Sequence, residues 1–100
     1  MTGSRYRVVW LHSVRAIWLG ELVLELSARR ETTQPLLDAV DGITEHLAYR
    51  PDDIGESRPE GTRVYHDDPL TVTYEVHHDE RLVIVIHAHY YVRRPGAPPA

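Results

Sequence analysis

Residues 55–91 read GESRPEGTRVYHDDPLTVTYEVHHDERLVIVIHAHYY, and this stretch decides the fold. Leu70-Thr-Val-Thr-Tyr-Glu-Val76 alternates apolar and polar side chains, the mark of a strand with one wet face. Leu82 to Ala88 is apolar almost throughout, as expected of a strand covered on both sides. Thr62 to His66 precedes them as a short strand, entered from a polar loop over Pro51 to Gly61. Turns at Asp67-Asp68-Pro69 and around His78-Asp79-Glu80 separate the three strands. The chain is therefore expected to end in an antiparallel meander. A three-residue final turn places Leu70, Val72, Tyr74 and Val76 on one face with Leu82, Ile84, Ile86 and Ala88, all toward the rest of the chain. The opposite face then carries Thr71, Thr73, Glu75, His87, His89 and Tyr91. A turn one residue longer or shorter inverts one strand, because side chains alternate with a period of two.

Working outward, Arg5 to Leu11 reads as a first strand, with Tyr6, Val8 and Trp10 on one face. Ser13 is the expected cap of a helix from Val14 to about Arg29. Glu21, Glu25 and Arg29 form a charged stripe, and Ala16, Leu19, Val23 and Leu26 line another face. Trp18 and Leu22 lie near that stripe. They are either an apolar patch for a partner or packing between helices. A second helix starts near Thr32 or Thr33, with Pro35 in its first turn, and ends at Arg50-Pro51. Leu36, Val40, Ile43 and Leu47 make one apolar stripe, and Gly42 is expected to permit close packing on the first helix. So short a link between two helices implies an antiparallel hairpin. The expected fold is α+β in the order β-α-α-β-β-β, with the helical hairpin on one face of a mainly antiparallel sheet.

The chain has 100 residues, which is one domain with one modest core. Its ordered core is expected over about 5–92, with a frayed tail over 94–100. No apolar run reaches the ~20 residues that span a bilayer. The start lacks a basic segment followed by an apolar one, so a cytoplasmic protein without a membrane partner is expected. Cysteine is absent, which removes disulfides and thiolate metal sites. Every cation is arginine and the net charge is −4, which weighs against broad electrostatic binding to nucleic acid.

Several motifs recur together: Trp10 and Trp18, Leu47-Ala-Tyr-Arg-Pro51, Gly55-Glu-Ser-Arg58, Gly61-Thr-Arg63, Pro69-Leu-Thr-Val-Thr-Tyr-Glu-Val76 and Arg81-Leu-Val-Ile-Val-Ile86. In this order and over residues 5 to 92, the chain resembles the RelE/ParE superfamily of bacterial type II toxin–antitoxin toxins. The resemblance implies a toxin-like protein neutralised by a cognate antitoxin. It also implies one of two activities. ParE-like members bind DNA gyrase and cleave nothing. RelE-like members are ribosome-dependent endonucleases that cut mRNA through the ribose 2′-hydroxyl.

That cleavage needs a base, a cation for the phosphate and an acid for the leaving oxygen. His87, His89 and Tyr91 lie two apart on one strand and share a face. With Arg63 they are the candidate catalytic set, and Arg58 and Arg93 are the candidate phosphate- or target-binding cations. Trp18 and Leu22 are the candidate partner-binding pair. His-x-His with His66 or His77 offers at most an incomplete metal site, so no metal or other cofactor is expected. The chain departs from the nuclease pattern in carrying Thr71 where RelE-like nucleases commonly have arginine, in lacking lysine, and in being acidic. A ParE-like binder of a macromolecular target is therefore the primary expectation, with the mRNA endonuclease as the alternative. A homodimer, or a non-toxic self-associating or partner-binding domain, is the third reading.

Overall fold

The computed structural model describes residues 5–91, so Arg93 and the expected tail over 94–100 lie outside the described residues. The strands are β1 (Arg7–Trp10), β2 (Glu56–Ser57), β3 (Arg63–Asp67), β4 (Leu70–His77) and β5 (Leu82–Tyr90). The helices are α1 (Leu19–Ala28), entered through a π-helical segment at Ser13–Trp18, and α2 (Gln34–Tyr49). One sheet runs in the order β1-β5-β4-β3-β2. Only the β1–β5 pair is parallel; the others are antiparallel, as the meander requires. The helices pack on one face. The two-residue β2 falls inside what reads in sequence as loop.

Helix α2 follows its sequence pattern. Leu36, Val40, Ile43 and Leu47 are all buried, and Pro35 sits in the first turn. Thr32 Oγ1 accepts the Gln34 amide at 3.3 Å. The stripe meets Leu70, Val72 and Tyr74 of β4 and Val83 and Val85 of β5, every one at 0% exposure. Trp10 Nε1 donates to Thr44 Oγ1 at 2.9 Å, and this bond pins β1 to α2. Gly42 does not pack on the first helix. A side chain there would meet Asp67 Oδ2 of β3 at 3.3 Å, so the glycine makes room for the sheet.

The first helix departs from expectation at its start. Ser13 makes no capping bond; the Val14 and Arg15 amides both donate to the Leu11 carbonyl at 2.9 Å. The π-helical turn is wider than an α-turn. It therefore places Val14 and Leu19, five apart, on the buried side, and turns Ala16 outward. Leu26 is buried as expected, and Val23 is half-buried.

Strand β5 also differs from its expected facing. The final turn spans four residues, because His77 pairs with Leu82. Val83 and Val85 consequently face the helices, and Leu82 and Ile84 do not. Opposite Thr73 and Tyr74 the register then shifts: Tyr74 pairs with Val85 and Thr73 with His87, leaving Ile86 as an extra residue. Such a bulge inverts the alternation a second time. Ala88 is therefore buried after all, and His87 and His89 remain on the far face.

Candidate functional site

The face of the sheet away from the helices carries imidazoles and hydroxyls in rows. Across β3, β4 and β5, His66 pairs with Thr71 and Thr71 with His89. The next row is Val64, Thr73 and His87. The Asp68-Pro69 turn, whose peptide bond is cis, and Tyr91 close the end of this face.

His66 and Thr71 of the first row form a bonded cluster with Asp68 and Tyr91. His66 Nδ1 lies 2.8 Å from Thr71 Oγ1, and His66 Nε2 lies 3.2 Å from Asp68 Oδ1. The Tyr91 ring stacks parallel on the His66 ring, centroids 5.3 Å apart, and its hydroxyl reaches both His66 nitrogens and Asp68 Oδ1. The His89 ring is 6.4 Å from Tyr91. His66, His89 and Tyr91 are all exposed. The arrangement resembles acid–base machinery: two imidazoles and a phenol with a carboxylate to orient them. Among the described residues, no group of three histidine or acidic side chains is placed to hold a metal ion.

Arg63 is not part of this cluster. Its antiparallel partner is Tyr74, so it points to the helix side. There Nε and Nη2 donate to the Ile54 carbonyl at 3.3 and 3.1 Å, and Nη2 donates to Gly55 at 3.2 Å. The Tyr74 hydroxyl sits 2.8 Å from the Pro51 carbonyl and 2.9 Å from that of Ile54. Burial pushes the Tyr74 phenol above its ordinary pKa, and the Arg63 guanidinium opposes that rise. Arg63 thus fastens the loop after α2 to the sheet. The expectation that it joins His87 and His89 fails on the period-two alternation of β3. Arg58 lies in the β2–β3 turn, 3.8 Å from Glu56 Oε2.

No protein-family model matches the chain, and no curated protein does. Among solved structures, a chain in the crystal structure of the toxin–antitoxin complex RelBE2 from Mycobacterium tuberculosis superposes with a TM-score of 0.65 at 15% identity. The match covers 90% of this chain and 95% of that one. The fold is RelE-like.

On this RelE-like scaffold the remaining sequence candidates take definite places. His87 and His89 share the far face with Thr71 and Thr73, and Tyr91 joins His89 there. Trp18 and Leu22 are half-buried and pack against the core. The apolar side chains most exposed on the first helix are instead Ile17 at 52% and Leu24 at 72%. Sequence reasoning named His66 only as a third ligand of an incomplete metal site and missed Asp68 and Thr71 as its neighbours. The available signal was the short Asp67-Asp68-Pro69 turn, which pairs Asp67 with Leu70 and so forces His66 opposite Thr71. No helix among the described residues is long and apolar enough to cross a membrane.

Proposed function

We propose that this chain is the toxin-like component of a type II toxin–antitoxin module, held inactive by a cognate antitoxin and acting by binding a macromolecular target. The likeness to a chain of a toxin–antitoxin complex, over nearly all of both, supports the toxin role and the antitoxin partner. The observation that carries the choice of binding over cleavage is the fate of Arg63. Its guanidinium is committed to the Ile54 and Gly55 carbonyls on the face opposite the imidazoles. Phosphoryl transfer needs a cation beside the proton-moving groups. Among the described residues, no arginine is bonded to His66, Thr71, His89 or Tyr91 of the far-face cluster. Expressing the chain alone in bacteria tests the toxin role: growth arrest relieved by a co-expressed antitoxin is expected, and unimpaired growth would count against it.

The second reading, a ribosome-dependent RNA endonuclease, draws on the bonded His66–Tyr91 pair with His89 beside it. Incubating the purified protein with translating ribosomes and mapping message ends separates the two. Cleavage that disappears in His87→Ala/His89→Ala would overturn the binding reading in favour of this one.

A further inference from the structure

On the helix side of the sheet, at the end away from the His66–Tyr91 cluster, three loops converge on a small cavity of about 200 Å³. The β2–β3 turn contributes Arg58, Gly61 and Thr62, the sheet contributes Ser57, Arg63 and Val76, and the β4–β5 turn contributes His78. We propose that this cavity is an anion site for a single phosphate group, separate from the far-face cluster.

The lining has the chemistry such a group needs. Two guanidiniums supply charge, and the Arg58 guanidinium also brings a fork of N–H donors. Arg63 is held in place by three bonds from Nε and Nη2, so its charge is fixed at the cavity wall without further ordering cost. Arg58 is only loosely paired, since 3.8 Å from Glu56 Oε2 is too long for a hydrogen bond. Ser57 and Thr62 add hydroxyls that can donate. The turn that carries Arg58 is closed by Arg58 N–H to the Thr62 carbonyl at 2.8 Å and Gly61 N–H to the Arg58 carbonyl at 3.1 Å. Gly61 takes φ +87°, a left-handed backbone that suits glycine. One carboxylate, Asp52, also lines the cavity. It is turned to His78, whose Nε2 lies 2.9 Å from both its oxygens. In a chain of net charge −4, a pocket that gathers two arginines against one carboxylate runs against the overall charge.

The pocket's chemistry stands whether or not the chain is a toxin. The test is an amide and arginine-side-chain NMR titration of the full chain with sodium phosphate, against sodium chloride at matched ionic strength. A second arm uses adenosine monophosphate. Saturable shifts confined to residues 57–63 and to His78 are expected with phosphate, about tenfold weaker in Arg58→Gln. Adenosine monophosphate moving the same amides would mean that the pocket also takes phosphate esters. Arg58 is exposed and bears little of the fold, so its variant should keep the wild-type spectrum elsewhere. Shifts that never saturate, that centre on His66, Thr71 and His89, or that are equal in wild type and Arg58→Gln would overturn the proposal.

Discussion

Tyr74 shows how one side chain joins the sheet to the loop after α2. Its ring is fully buried, while its hydroxyl lies within hydrogen-bond distance of two carbonyls, one of which Arg63 also serves. Tyr74→Phe is expected to cost about 1–2 kcal/mol in urea denaturation, because the Pro51 carbonyl loses its donor inside the protein. The phenol also sets a pH dependence. Burial raises its pKa above the ordinary 10.0, so the folded state holds this proton more tightly than the unfolded chain does. Its contribution is fully present below pH 10 and is lost as pH rises through the higher folded value. Tyr65 is shifted in the same direction, by burial and by Asp67. Tyr74→Phe should therefore flatten the loss of stability above pH 10 without abolishing it. Gly55 belongs to the same junction. Its φ is +76°, and a Cβ would fall 2.6 Å from the Val64 carbonyl oxygen and 2.9 Å from the Tyr74 hydroxyl. Gly55→Ala should cost more than about 1 kcal/mol by the same measurement.

At the scale of elements, α2 and β4 were readable because each keeps one period from end to end. The stripe Leu36, Val40, Ile43 and Leu47 and the alternation Leu70, Val72, Tyr74 met each other as the residues implied. Two elements change period midway, and there the reading failed. The π-helical turn at Ser13–Trp18 rotates Val14 inward and Ala16 outward, although nothing in Ser13-Val-Arg-Ala-Ile-Trp18 announces a wider turn. In β5 a four-residue turn inverts the strand and the bulge at Ile86 restores it. The far-face placement of His87 and His89 was thus expected from an alternation that in fact breaks twice. Their pairing with Thr73 and Thr71, and the meeting of Tyr91 with His66, depend on cross-strand register. Composition along a single strand carries no such information. The burial of the first helix gives a direct check. Leu26→Ala should cost about 2–5 kcal/mol, whereas Leu24→Gln on the outward face should stay within about 0.5 kcal/mol, both from denaturant midpoints.

For the whole molecule, the two faces of the sheet divide the chemistry. The helix side holds the core and Arg63, a member of the candidate catalytic set. Among the described residues, the open side gathers His66, His87, His89, Thr71, Thr73 and Tyr91 toward one end, and Arg7 of β1 lies toward the other. This division separates Arg63 from the face that carries His66, His87 and His89. Under the proposed binding role, Arg63→Ala should act through stability, loosening the loop over Pro51 to Gly55. His89→Ala, on an exposed position, should leave stability within about 0.5 kcal/mol of wild type. The most direct measurement is the mapping of message 5′ ends in bacteria arrested by expression of this chain alone. Arrest with intact messages is the predicted result; codon-spaced cuts within translated messages that vanish in His89→Ala would contradict it.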